Sequence, residues 1–447
     1  MKLCRLKLIG VFKFIIVIIL LISLISFSLV VYSYSAPTKS ILIITPHPDD
    51  ETLGVGGHIV KFIKEGYKVY TISLTLGDGY SAAVALKNKS FSLKCMDYIN
   101  FGKIRSQEIK EALSKLGVKN NCIFSLGFPD GGLSTLWLRN WDYPYTSSYT
   151  GVNYSPYEES SKLNLPYKGE NIYSELKKII KNINPEKIFI VDAIDIHNDH
   201  WAAYCFSIAS VLGLMTEKKD FNPEIYTYII HFKNFPYPKG YDKLKKLIPN
   251  NIMKKYNNTF QIYPLSKKEI DLKEKAILKY ETQLPLMKDY LLSFVRKNEI
   301  FGKPLTTSLN GNKALEIKDS LIDVSSYYRN TSANIKKIFI KRENGYMNIE
   351  MITNGNITNK YSYNLRAFLF SSDFFKRLDI SYPKVDKKIE IYTEENKIVY
   401  NIPFSIFGSS QYILLGADTN LNSPQPIKSF IDVTYYYILD LKNEKNL

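Results

Sequence analysis

Cysteine is scarce in this 447-residue chain, which has only Cys4, Cys95, Cys122 and Cys205. Their irregular spacing excludes a disulfide framework, and without a CxxC pair thiolate metal sites drop out as well. Cys122 falls in an expected strand and Cys205 in an expected helix, where a free thiol packs as a small apolar group. Dense Lys/Arg blocks and nucleic-acid-binding motifs are also missing, so a nucleic-acid partner is not expected. The formal charge is +16, but lysine is scattered among Asn, Ile and Tyr along the whole length and reads as compositional bias. A basic exterior is attracted to anionic polymers and lipid headgroups all the same. Histidine is almost as rare as cysteine: His47, His58, His197, His200 and His231 are the full set.

Charge is absent altogether from residues 14–34, most of which are Ile, Leu, Val or Phe. A membrane-crossing helix needs about 20 apolar residues, whereas a signal-peptide core spans about 7–15, so the run predicts a retained anchor. Lys2, Arg5, Lys7 and Lys13 precede it. The positive-inside rule then leaves residues 1–13 as a cytoplasmic basic tail and exports everything after Ser35, with +12 of the charge. The expected location is membrane-anchored, with the remaining domains outside the cytoplasm. Ser33 and Ser35 before Ala36 leave cleavage and secretion as the alternative.

Beyond the anchor, β-branched runs alternate with amphipathic stretches, the pattern of strand, crossover helix and parallel strand. Strands are expected at 41–44, 68–75, 122–126, 187–191 and 225–232. Helices are expected at 52–65, 103–116, 173–182 and 200–214, with Gly66 and Gly117 as C-terminal caps. A later helix opens at Ser266, where Glu269 completes a capping box. The fold class predicted for residues 38–300 is α/β, a Rossmann-like open and mostly parallel sheet with helices on both faces. Residues 301–314, rich in Gly, Pro, Ser, Thr and Asn, read as a linker. From residue 315 to 447 hairpin patterns dominate, with Asn344-Gly345 a turn signal, and an antiparallel β-sandwich is expected there as an accessory domain.

Three of the five histidines lie in HPDD, residues 47–50, and HNDH, residues 197–200, each just after an expected strand. In open parallel sheets the carboxyl ends of the strands form the ligand crevice, so the two motifs can converge. A catalytic zinc takes three His or carboxylate ligands and keeps a fourth position open, and His47, Asp50 and His200 fit that set. Zn2+ is the expected cofactor, with another divalent ion as the alternative. Asp49, beside the ligands, is the expected general base, and His197 the general acid or oxyanion partner. Asp199 can orient a ring nitrogen from behind. Glu51 either orients a ligand or, the favoured reading, supports a helix N-terminus. Read singly, HPDD is as readily a helix cap as a metal site, and His58 and His231 read as packing or surface residues.

HPDDE after the first strand, RSQE, GFPDGG and HNDH together resemble the zinc-dependent N-deacetylases of the LmbE and PIG-L type. The resemblance covers roughly residues 40–205 and continues weakly through KAILKYETQ and FVRKNEIFG. It implies the same ligands, His47, Asp50 and His200, with Asp49 as base and His197 as acid or oxyanion partner. It adds Arg105 and Asp130 as contacts to a sugar; without it, Arg105 reads as a surface helix residue. Asp195 stands where some relatives carry a tyrosine that assists the oxyanion.

The expected function is removal of acetyl from N-acetylglucosamine-type units of a surface glycan or glycolipid. Eight aromatic residues between 136 and 168 either wall a sugar groove or pack locally. The competing readings are an amidase for a larger acyl or peptide amide on an amino sugar, and an inactive surface protein that binds glycan through its C-terminal domain.

Overall fold

Five strands carry the site. In a computed structural model, β1 (Ser40–Thr45), β2 (Lys68–Thr75), β3 (Ile123–Phe128), β4 (Lys187–Val191) and β5 (Glu224–Tyr228) pair in the order β3-β2-β1-β4-β5. Every pair is parallel. All six residues of β1, SILIIT, are buried, as a central strand covered on both faces requires. The order places β2 and β3 on one side of β1 and β4 and β5 on the other, so the carboxyl ends of β1 and β4 flank the switch point.

The structure describes residues 18–19, 39–158, 160, 162–308, 314–321, 330–384, 388–423 and 431–442. The expected anchor at 14–34 therefore lies outside them, apart from Ile18 and Ile19. Among the described residues no helix is long and apolar enough to cross a membrane.

The helices are α1 (Asp50–Lys64), α2 (Ser81–Asn88), α3 (Cys95–Leu116), α4 (Leu133–Leu138), α5 (Gly169–Ile183), α6 (Asn198–Glu217), α7 (Asn251–Tyr256), α8 (Lys267–Ile277) and α9 (Leu284–Leu292). Right-handed crossovers put α1 and α3 on one face of the sheet and α5 and α6 on the other. Gly66 and Gly117 have φ of 87° and 95°, the left-handed backbone that ends a helix without a Cβ clash. The capping box at α8 forms: Ser266 N donates to the Glu269 carboxylate at 2.6 Å, and Glu269 N donates back to Ser266 Oγ at 3.4 Å.

Helix α1 carries the first motif and is fixed at both ends. A Cβ on Gly54 would lie 2.3 Å from the Tyr228 ring, so only glycine lets α1 seat against β5. Behind it, the buried Glu299 carboxylate accepts Gly57 N and His58 N at 2.8 and 3.0 Å. Glu299 also lies 2.6 Å from His58 Nδ1 and 2.7 Å from Lys273 Nζ. His58 is accordingly a packing residue.

After a short antiparallel pair, β6 (Gln261–Pro264) with β7 (Asn298–Phe301), the chain builds two further sheets. One runs β14-β15-β11-β10-β9, from β9 (Leu315–Lys318), β10 (Ile335–Glu343), β11 (Tyr346–Thr353), β14 (Glu390–Glu394) and β15 (Lys397–Pro403). Its β10-β11 hairpin turns at Asn344 and Gly345, with φ of 49° and 81°, as a two-residue type I′ turn demands. The other runs β13-β12-β16-β18-β8, from β8 (Thr306–Ser308), β12 (Tyr361–Phe370), β13 (Phe375–Tyr382), β16 (Tyr412–Leu421) and β18 (Tyr437–Asp440), with β17 (Asp432–Val433) paired to β16. Strand β8 comes from the stretch expected to be a linker and pairs parallel with β18.

Alternation along β12 explains where this second sheet sits. Tyr363, Leu365, Ala367 and Leu369 enter a core shared with the first antiparallel sheet, while Phe368 and Phe370 join the core of the α/β layer. The Trp137 ring stacks on Phe368 at 4.2 Å, and Arg139 pairs with Asp418 at 2.7 Å. Residues Ser40–Leu447 form one compact unit.

Candidate active site

The turn between β1 and α1 spans residues 46–49. Thr45 Oγ1 donates to His47 O at 2.8 Å and Thr75 N to Pro46 O at 3.0 Å, which pins the turn to the sheet. Asp49 adopts φ 117°, a region that L residues rarely occupy. The kink sends neighbouring carboxylates to different partners: Asp49 to Arg105, and Asp50 to the two motif histidines.

His47 Nδ1, Asp50 Oδ2 and His200 Nε2 close a triangle with edges of 3.3, 3.2 and 3.2 Å. Ligands about 2.0–2.1 Å from a tetrahedral zinc lie about 3.3–3.4 Å from one another, so the spacing fits one divalent ion. The far ring nitrogens are engaged as well. His47 Nε2 lies 3.0 Å from Asp130 Oδ1 and 3.4 Å from Asp199 Oδ2, and His200 Nδ1 lies 3.1 Å from Asp195 Oδ2. With an ion bound, carboxylates on the outer nitrogens would fix the tautomer that turns the inner lone pairs toward it, as around metal-bound histidines.

Backbone amides hold those carboxylates. Asp130 accepts Gly79 N at 2.7 Å; Asp199 accepts Gly131 N and Leu133 N at 2.6 and 3.1 Å. Asp195 accepts His197 N, Ile230 N and His231 N at 3.1, 3.0 and 2.8 Å. Asp130 and Asp199 thus both back His47, and Asp195 takes the same role behind His200.

Burial disfavours charge at His200, but Asp195 and Asp50 outweigh it and raise the imidazole to about 9. At His47 burial is likewise outweighed, by Asp130, Asp199 and Asp50, and the ring is raised well above its ordinary value. Burial also opposes charge on Asp50, yet His200 and His47 hold it well below the usual carboxylate range. The surroundings therefore favour positive charge at the triangle, and a divalent cation can take the place of those protons.

Asp49 is set apart from this group. Burial pushes its carboxyl up to about 8, against the pull of the Arg105 guanidinium 3.0 Å away. Arg105, only 4% exposed, also donates to Gly77 O at 2.9 Å and to Pro48 O. Its guanidinium is committed to the turn. Glu51 lies in the first turn of α1, as expected, and is fully buried there: it accepts Asp49 N at 3.2 Å and bonds Thr52 and Tyr280. Glu108 of RSQE accepts Thr282 N and Oγ1, both at 2.7 Å, so the weaker motifs RSQE and YETQ meet and buttress the turn.

His197 caps α6, its Nδ1 accepting Asp199 N at 3.2 Å. Burial, then His200, His47 and His231, depress its pKa well below the imidazole value, so the neutral ring carries its proton on Nε2.

These groups line a cleft of about 340 Å³ that includes His47, Asp49, Asp50, Arg105, Asp130 and His197. His231, Tyr290 and Tyr149 also line it. Tyr290 stacks on His231 with its hydroxyl 3.0 Å from Nδ1. His231 escaped the sequence reading because strand β5 was expected to run through 232; it stops at Tyr228, which puts His231 beyond another strand's carboxyl end. Of the eight aromatic residues between 136 and 168, only Tyr149 reaches the cleft. Trp137, Trp141, Tyr157 and Tyr167 are buried packing.

Residues 42–211 match the family model described as PIG-L, GlcNAc-PI de-N-acetylase. The chain is 32% identical over 83 residues to a 1D-myo-inositol 2-acetamido-2-deoxy-alpha-D-glucopyranoside deacetylase of Rhodococcus erythropolis (strain PR4 / NBRC 100887), covering 19% of this chain and 27% of the relative. It is 33% identical over 82 residues to a probable N-acetyl-alpha-D-glucosaminyl L-malate deacetylase 2 of Bacillus anthracis, covering 18% and 33%. The matches thus span about a quarter to a third of these relatives' lengths. Among solved structures, N,N'-diacetylchitobiose deacetylase from Pyrococcus horikoshii aligns at 21% identity and TM-score 0.36, over 59% of this chain and 82% of that one.

Proposed function

We propose, from the membership of residues 42–211 in the LmbE/PIG-L N-deacetylase family, that this chain is a divalent-metal hydrolase that removes acetyl from N-acetylglucosamine-type units. The observation that carries the reading is the triangle of His47, Asp50 and His200 donors, no edge above 3.3 Å, beside the separately held Asp49. The uncharged run at 14–34 supports an anchored, extracytoplasmic enzyme, and so a glycan or glycolipid outside the cell as substrate. The antiparallel sheets serve it as an accessory layer packed on the catalytic one.

His47, Asp50 and His200 would hold the ion, zinc being the best fit to two imidazoles and a carboxylate. When bound, the ion supplies Lewis-acid polarisation and a lowered pKa for water. The chain's own groups do the rest. In its ionised form, which its raised value of about 8 leaves available near and above that pH, Asp49 accepts a proton from the attacking water, whose oxygen bonds to the acetamide carbon. The Nε2–H of neutral His197 is free to donate to the developing oxyanion, since Nδ1 is already an acceptor. The C–N bond then breaks, the proton held by Asp49 passes to the nitrogen, and acetate and a free amine leave. Arg105 keeps Asp49 aimed throughout.

The test is metal analysis of the purified protein together with acetate release from N-acetylglucosamine conjugates and release of longer acyl groups from matched amides. Bound metal with acetate release supports the reading. Turnover of longer acyl amides alone would favour the amidase, and metal-loaded protein that hydrolyses neither would favour a glycan-binding role.

A further inference from the structure

The segment that follows the cleft wall has two apolar faces, and only one is used. Gly79 and Tyr80 line the cleft, and α2 begins at the next residue. Ala83 and Val84 pack with Phe101 against Tyr80, Leu93 and Tyr98. That small core closes without Leu86, Phe91 or Met96, which are 50%, 100% and 59% exposed. Phe91, with no part of its ring covered, sits at the tip between α2 and α3.

Charge on the segment has one sign. Lys87, Lys89 and Lys94 are exposed and interleave with the apolar residues, and no acid occurs between Asp78 and Asp97. Among the described residues no carboxylate pairs with these lysines. Tyr98 ties the segment to the cleft: its ring packs 5.4 Å from that of Tyr149, a lining residue, and its hydroxyl lies 3.0 Å from Ser81 Oγ.

We propose that residues 86–96 are a lipid-surface contact, with Phe91, Leu86 and Met96 entering the acyl boundary of an anionic bilayer while the three lysines meet its headgroups. A soluble polyanion would use the lysines and leave the ring in water; an apolar protein surface would strand three cations. Only an amphiphilic anionic surface answers both. Docked this way, the cleft mouth lies at headgroup level. The substrate class follows: an amino sugar carried on a lipid or held close to the bilayer. The inference rests on the proposed hydrolase only in taking this cleft as the place of turnover.

The test needs a local readout, because residues 14–34 could bind vesicles by themselves. Cys95 is exposed within the segment, whereas Cys122 and Cys205 are buried. Full-length protein carrying Cys4→Ser is labelled at Cys95 with a polarity-sensitive fluorophore. It is reconstituted into phosphatidylglycerol-containing vesicles with brominated acyl chains, and into phosphatidylcholine vesicles of the same bromine content. The expected result is a blue shift and quenching that require the anionic lipid and weaken with salt. Phe91→Ser should lower the docked-to-undocked ratio roughly tenfold, and joint Lys87→Gln, Lys89→Gln and Lys94→Gln should remove the lipid dependence. Both variants should keep their metal and their turnover of a small soluble substrate, which shows they are folded. A label that stays in water and unquenched in anionic vesicles overturns the proposal. The readout needs no turnover, so failure of the hydrolase reading shows up separately, in the acetate assay.

Discussion

The Nδ1 of His47 lies 3.2 Å from the Nε2 of His200, and both face the same carboxylate oxygen of Asp50. With both imidazoles raised above their ordinary value, their inner protons converge on that one oxygen, where a single divalent ion would take their place. Asp130, Asp199 and Asp195 stand behind the outer nitrogens, an arrangement in which a bound cation would replace the inner protons.

Replacing Asp49 separates binding from chemistry. Asp49→Asn keeps the shape and the hydrogen bond to Arg105 but cannot accept a proton. Bound metal should stay at the parent level while acetate release falls by about 10²–10⁴-fold, the usual weight of a positioned base. Unchanged turnover would exclude Asp49 as the base.

Asp195→Asn tests the support behind His200. The amide still accepts the backbone N–H groups of Ile230 and His231 if its oxygen faces them, but it no longer presents a charge to His200 Nδ1. Metal affinity, measured by competition with a chelator, should fall about 10–100-fold. Turnover of the fully loaded protein should change much less, a split that general unfolding would not produce.

Stability should depend on pH through Asp78. Burial, then the charge of Asp130, raises its carboxyl to about 7, whereas a free aspartate titrates near 3.9. Between these values the folded chain keeps a proton that the unfolded chain releases. The stabilisation is therefore complete below about pH 4 and is lost as pH rises through about 7, by on the order of a few kcal/mol. Urea unfolding from pH 4 to 8 should show that slope in the parent and a flatter one in Asp78→Asn; equal slopes would refute the assignment.

The contact between Trp137 and Phe368 should make the α/β layer and the antiparallel sheets unfold together. Phe368→Ala should cost about 3–5 kcal/mol. Calorimetry should show one transition at lower temperature. Two separated transitions in the parent would mean that the layers fold independently.

The sheet and both motifs were legible because their signals are local: β-branched runs, glycine stops, and histidines placed just after strands. His231 was hidden by a boundary error of a few residues, which concealed that it too follows a strand's carboxyl end. Arg105 and Glu51 carry no local mark of burial, since a charged residue on a helix reads as surface until the tertiary partners, Pro48 O, Asp49 and Tyr280, are known. The aromatic segment stayed open between groove and packing for a related reason. Trp137 and Trp141 face a sheet built more than two hundred residues later, and composition cannot say which surface a ring will meet.

The backbone at Asp49, with φ 117°, has one more consequence. Such a conformation costs an L residue on the order of 1–3 kcal/mol, and glycine would adopt it freely. Asp49→Gly releases that cost but leaves the buried Arg105 without its carboxylate, so libraries screened only for heat resistance should be near neutral to it, while libraries screened for product should purge it. Position 49 is where the two selections would part company.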